Sequence, residues 1–148
     1  MAVLDLDAFV PFQLSVAANA VSEVIASAYR SLFGLKVAEW RVLAIVAQSP
    51  GLSSQAIARR AMLDKISVSR AVQALTERRL VTVDADREDR RAHCLRLSGE
   101  GEALYAAVVP AALALERRVI GCLSAPEQAQ LTALLGRVRD AAREAAGG

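Results

Sequence analysis

Ser53 through Leu80 read SSQAIARRAMLDKISVSRAVQALTERRL. Ser53 and Asp64 carry side-chain oxygens that can accept the free backbone N–H groups of a helix's first turn. The stretch therefore predicts a short helix over residues 54–60, a turn at Ala61-Met62-Leu63 and a second helix over residues 65–78, with Ile57 and Ala61 of the short helix facing inward. At roughly 100° per residue, Val68, Ala71, Val72 and Leu75 fall within one narrow arc. Ile66, Ser69, Arg70, Gln73 and Glu77 fall on the opposite one. The first arc is a core seam. The second is polar except for Ile66, an apolar residue unusual on a merely solvated face and suited to a groove that offers thymine methyl groups.

Downstream, Leu80-Val-Thr-Val-Asp84 and His93-Cys-Leu-Arg-Leu97 read as two short strands, joined by a charged loop too long for a tight turn. Ser98 opens a long helix to about residue 121, with a bend expected near Pro110. Ser124-Ala-Pro-Glu127 is a capping box for a last helix through about residue 145. Upstream, a helix over residues 8–33 carries Phe9, Phe12, Val16, Ala20, Val24 and Ala28 at helical spacing, with Pro11 near its start and Gly34 as C-cap. A helix over residues 36–48 places Trp40, Leu43, Ala44 and Ala47 on one side and ends at the Pro50-Gly51 turn. The order is helix, helix, short helix, turn, helix, strand, charged loop, strand, helix, helix. That is a mainly α chain with a minor β element: a winged helix-turn-helix over residues 35–98, flanked by helical arms over residues 1–34 and 99–148 that are expected to dimerise, all one structural unit.

Composition agrees. The chain has 148 residues, 54% hydrophobic and 23% charged, with alanine-rich runs that favour helix. It is too apolar for a disordered chain. No apolar run approaches the roughly 18 residues a membrane span needs, so no membrane association is expected. The acidic start Met1-Ala-Val-Leu-Asp-Leu-Asp lacks the basic region of a signal peptide. Two cysteines, Cys94 and Cys122, are too few for a disulfide framework, and a cytoplasmic location is expected.

The net charge of +2 is unevenly spread. Residues 59–96 hold ten Lys and Arg against six Asp and Glu, an excess of four; the remainder holds eight against ten. A solvated charged face is the plain alternative to a phosphate footprint. Position favours the footprint. A helix of this length fits the major groove of B-DNA, where base edges present a distinct donor and acceptor pattern. Lys65, Ile66, Ser67, Ser69, Arg70 and Gln73 are the candidate reading residues; Arg70 suits guanine, Gln73 suits adenine, and the small Ser69 allows close approach. Ser53, Ser54 and Arg59, at the first helix of the motif, are candidate phosphate contacts. The loop residues Arg87, Asp89, Arg90 and Arg91 form a candidate wing, whose guanidinium groups suit a narrow minor groove.

Other chemistry finds little footing. One histidine, His93, beside Cys94 does not make a metal site, and no cofactor is expected. Glu88-Asp89 lies in a basic loop rather than a pocket. With no phosphate-binding glycine loop and no nucleophile motif, an enzyme is not expected. Trp40 reads as core packing and Arg41 as an ion-pair partner, with both as candidates to line an effector pocket. A winged-helix module that binds protein, and a thiol-based sensor using Cys94 or Cys122, stand as alternatives.

Several motifs at these spacings resemble the MarR family of bacterial transcription regulators. They are Leu35 with Glu39-Trp40-Arg41-Val42-Leu43; Ser53-x-x-x-Ile57-Ala58; Asp64-Lys65-x-x-Val68-Ser69-Arg70; and Leu75-Thr-Glu-Arg-Arg-Leu80-Val81. Asp86-Arg-Glu-Asp89-Arg-Arg91 and Leu97-Ser98-x-x-Gly101 complete the set. The resemblance spans roughly residues 35–101. It implies a triangular homodimer, intertwined through its terminal helices, whose two lobes read a short pseudo-palindrome in double-stranded DNA, most often as a repressor, with a small-molecule effector as a further partner. It also implies DNA-reading roles for Ser69, Arg70 and Arg91, and an orienting role for Asp89. Three positions depart from the family pattern: Arg79 stands where glycine is usual, Lys36 where Thr or Ser is usual, and Ser98 where Thr is commoner. Arg79 leaves the entry into the first strand open, because that turn cannot rely on a glycine for positive φ.

Overall fold

The computed structural model describes residues 1–85 and 93–148. The elements run α1 (Val10–Phe33), α2 (Val37–Gln48), α3 (Ser54–Ala61), α4 (Lys65–Glu77), β1 (Val81–Ala85), β2 (His93–Leu97), α5 (Gly99–Ile120) and α6 (Ala125–Gly147), with a 3-10 turn at Leu6–Ala8 ahead of α1. Residues 1–112 form one compact unit and residues 113–148 another. The expected mainly α chain with a two-stranded antiparallel sheet is present.

The caps set the boundaries. Ser53 Oγ accepts from Ala56 N–H at 3.2 Å and starts α3. Asp64 Oδ1 accepts from Ser67 N–H at 2.8 Å and starts α4. Ser124 and Glu127 form the reciprocal box at α6, at 3.3 and 2.9 Å. At α2 only half a box exists: the Glu39 carboxylate accepts from Lys36 N–H at 3.4 Å, and a lysine side chain has no acceptor to return. The expected start of α1 at residue 8 moves to Val10 because Phe9 is extended (φ −84°, ψ 106°), which leaves Pro11 in the first turn, where its missing N–H costs nothing. Helix α4 stops one residue short of expectation, at Glu77.

Three helices end around a left-handed residue, α3 and α4 with the same paired hydrogen bonds and α1 with a wider pair. Gly34 (φ +64°) closes α1, and Leu35 N–H reaches Tyr29 O at 3.2 Å. Met62 (φ +56°) closes α3, and Leu63 N–H reaches Ala58 O at 3.1 Å. Arg79 (φ +60°) follows α4; its N–H reaches Thr76 O at 2.9 Å and Leu80 N–H reaches Leu75 O at 2.9 Å. Arg79 thus takes the left-handed conformation without being glycine, and β1 begins at Val81 rather than Leu80.

The core of the first unit lies around α2, which packs against α1, α3, α4 and β2. Leu35, Val42, Leu43, Val46, Ile57, Val68, Leu75, Leu95 and Val108 are fully buried. Each such side chain contributes about 1.5–3 kcal/mol relative to exposure. Ala61 is only half-buried, so Ile57 and Ala58 form the inner face of α3. Strands β1 and β2 pair antiparallel, Val81 opposite Leu97 and Ala85 opposite His93. Leu52 adds a single bridge to Leu95, and the preceding Gly51 (φ +91°) donates its N–H to Leu95 O at 2.9 Å. The start of α5 seats closely on the strand entry. Ser98 Oγ donates to Arg79 O at 2.6 Å and accepts from Gly101 N–H at 3.0 Å.

Candidate nucleic-acid interface

Helix α4 is held from below and bare above. Val68, Ala71 and Leu75 are buried and Val72 is half-buried. Lys65, Ile66, Ser69, Arg70 and Gln73 are exposed along the opposite face, Ile66 at 65%. The sequence-predicted face is thus one continuous surface on a rigid rod whose seam belongs to the core.

The polar groups on that face differ in how committed they are. Lys65 and Arg70, and Arg59 on α3, make no hydrogen bond or ion pair with another described residue. Ser67 is half-buried and its hydroxyl donates to Asp64 Oδ2 at 2.7 Å, so toward DNA it offers only acceptor capacity. The Ser67 N–H and hydroxyl together hold the Asp64 carboxyl below its usual range, the backbone bond contributing most. Gln73 Nε2 donates to Glu77 Oε1 at 3.3 Å, which leaves its carbonyl oxygen and one amide hydrogen for a base edge. A shallow depression of about 560 Å³ at the α3–α4 turn is lined by Gln55, Ala58, Arg59, Met62, Leu63, Asp64 and Lys65. It brings Arg59 and Lys65 to one place, as a phosphate contact requires. Ser53 and Ser54 are half-buried at the start of α3. The candidate wing residues Arg87, Asp89, Arg90 and Arg91 lie outside the described residues.

Two arginines in the basic stretch do structural work that spacing alone did not reveal. Arg60 donates to Ser49 Oγ at 2.6 Å and Gln48 Oε1 at 3.0 Å, fastening α3 to the end of α2. Arg78 reaches back to the end of α1, donating to Gly34 O and Phe33 O at 3.2 Å each.

Trp40 is half-buried between two tyrosines. Tyr29 meets it edge-on, with ring centroids 5.3 Å apart at 64°, and Tyr105 stacks on it at 5.8 Å and 18°. Burial pushes the Tyr29 phenol pKa up. Tyr105 also lines a cleft of about 320 Å³ with Val46, Ala47, Pro50, Arg96, Leu97 and Glu102. Trp40 therefore backs the cleft through Tyr105, while Arg41 is exposed. The strand residue Arg96 and the helix residue Glu102 had no sequence signal linking them; pairing of β2 and packing of α5 bring them together. Cys94 is half-buried and Cys122 exposed, both as free thiols.

Comparison with known proteins identifies this framework. Residues 33–92 match the model of the MarR family. An HTH-type transcriptional repressor of Mycobacterium tuberculosis is 30% identical over 112 residues, 76% of this chain and 81% of that protein. The chain belongs to the MarR family. A MarR/EmrR family transcriptional regulator from Acinetobacter shares the fold with a TM-score of 0.88 and 28% identity, over 95% of this chain and 99% of that one. A protein of Thauera aromatica described as a transcriptional regulatory protein for the hcr operon is 31% identical over 97 residues. That match spans 66% of this chain and 58% of the Thauera protein, less than two thirds of its length. The chain is thus a winged-helix protein of a family of transcription regulators, and among the described residues no helix is long and apolar enough to cross a membrane.

Proposed function

We propose that this protein is a cytoplasmic repressor that binds a pseudo-palindromic operator as a homodimer and leaves it when a small effector binds. The observation that carries this reading is the outward face of α4: Lys65, Ile66, Ser69, Arg70 and Gln73 exposed together on a helix seated by Val68, Ala71 and Leu75. Two copies of α4, about 34–36 Å apart, enter successive major grooves. Arg70 pairs with guanine O6 and N7, Gln73 with adenine, and Ile66 rests on a thymine methyl. Arg59 and Lys65 neutralise phosphates, assisted by Ser53 and Ser54 at the start of α3, so affinity falls steeply with salt. Arg87, Arg90 and Arg91 reach the minor groove, with Asp89 orienting one of them.

Exposed apolar residues support the homodimer. Phe9, Phe12, Val16 and Val24 on α1, and Leu134, Leu135 and Val138 on α6, are uncovered in the single chain, which is the composition of faces that a second copy buries. The cleft under Tyr105 supports the effector step, with Trp40 packed against Tyr105 behind it; Arg41 is not among its lining residues. An occupant there favours one separation of the two lobes and shifts the population away from DNA.

The test is selection of bound duplexes from a random-sequence pool, followed by titration of the selected duplex at several salt concentrations. A two-fold-related motif and a steep negative salt slope are expected. Arg70→Ala should cost about 1–3 kcal/mol and relax a single base position in each half-site. Recovery of no motif, with equal binding to all duplexes, would remove the operator reading.

A further inference from the structure

The geometry points to Arg78 as a positioning residue that fixes the angle between α1 and the recognition helix α4, and through it the spacing of half-sites that two copies accept. The C-terminal end of α1 presents backbone carbonyls without helical partners and the negative end of the helix dipole. Arg78 meets that end with both arms of its guanidinium, Nη1 to Gly34 O and Nη2 to Phe33 O, each at 3.2 Å. The planar fork matches two adjacent acceptors and holds a direction as well as a distance. Its base is fixed too: Arg78 N–H is bonded to Ala74 O at 3.1 Å, and the next residues turn through Arg79 into buried Leu80.

Both α1 and α4 pack on α2. Packing on a shared neighbour leaves each helix able to pivot about its line of contact. The Arg78 fork ties the two helices to each other across 44 and 45 residues of sequence and removes that freedom. Arg78 is therefore assigned to geometry rather than to phosphate. The inference rests on the reading of two copies on two half-sites.

The experiment uses the full chain and the best duplex from the random pool, rebuilt with one or two base pairs inserted or removed between its half-sites. Wild type is expected to prefer the selected spacing by about tenfold or more over its neighbours, in the usual range of coupling between sites. Arg78→Ala should shrink that preference to about twofold while its affinity for the loosest-binding spacing stays near wild type. Arg78→Lys keeps the charge but not the fork; it should lose the preference as Arg78→Ala does, and both variants should keep the wild-type salt slope. Equal loss of affinity at every spacing, rescued by lysine, would make Arg78 a phosphate contact and overturn the proposal. A lowered thermal midpoint with the preference intact would make it a structural cap only and overturn it as well. If wild type itself shows no spacing preference, the two-half-site reading falls and takes this inference with it; a preserved preference in Arg78→Ala sinks only the role of Arg78.

Discussion

Two residues around the entry to β1 show how closely local geometry is set. Arg79 takes φ +60° without being glycine, a conformation that costs an L-residue roughly 1–2 kcal/mol. It is held there by the neighbouring bonds of Leu80 and by Ser98 Oγ on its own carbonyl. Gly101 is the complementary case. A Cβ at that position would lie 2.0 Å from Leu80 O, a backbone atom that cannot swing aside as a flexible side chain can. Gly101→Ala must push the first turn of α5 away from the strand entry, against both Ser98 bonds. Such overpacking typically costs about 1–3 kcal/mol, and the upper half of that range is expected here. Thermal or denaturant unfolding checks it; an unchanged midpoint would mean that the α5 start is more compliant than its contacts indicate.

At the scale of elements, what was legible in the sequence followed from short-range chemistry. Ser53, Asp64 and Ser124 announce helix starts because a cap acts within three residues of itself. The seam of Val68, Ala71 and Leu75 announces the buried side of α4 because helical periodicity is local. The roles of Arg60 and Arg78 were not legible, because a long side chain can reach partners anywhere on the fold and nothing at positions 33, 34, 48 or 49 marks them as acceptors. The cleft was illegible for the same reason: Arg96, Glu102 and Tyr105 meet only after β2 pairs and α5 packs. Asp64 also carries a prediction about α4 as an element. Its carboxyl pKa is lowered by the Ser67 N–H and then by the Ser67 hydroxyl. A carboxylate with a depressed folded-state pKa stabilises the fold fully above its ordinary value of 3.8, and that contribution disappears as pH falls through the lower folded value. Asp64→Ala should therefore lower the thermal midpoint at neutral pH, and the gap from wild type should narrow progressively as pH drops below 3.8. A gap independent of pH down to the acid transition would mean that the cap acts without its charge.

On the scale of the whole molecule, large apolar side chains stand uncovered in both units. Residues 1–112 expose Phe9, Phe12, Val16 and Val24, and residues 113–148 expose Leu134, Leu135 and Val138. Side chains of this size left in water forgo the burial that stabilises the rest of the fold, about 25 cal/mol for each Å² of apolar surface. In the proposed homodimer a second copy would remove that deficit and place a second α4 for DNA. A charge in such a face loses hydration without gaining a partner, and across a two-fold interface the defect is present twice. Leu135→Glu should therefore shift the sedimenting species from the mass of two chains to that of one at micromolar concentration. Binding to a two-half-site duplex should drop sharply, while α4 and its seam, which lie in the other unit, keep their packing. Phe12→Glu tests α1 in the same way. Far-UV circular dichroism separates dissociation from unfolding, since some dimers have no stable folded monomer. If Leu135→Glu and Phe12→Glu both sediment as wild type with undiminished DNA affinity, neither face is the interface of the proposed homodimer.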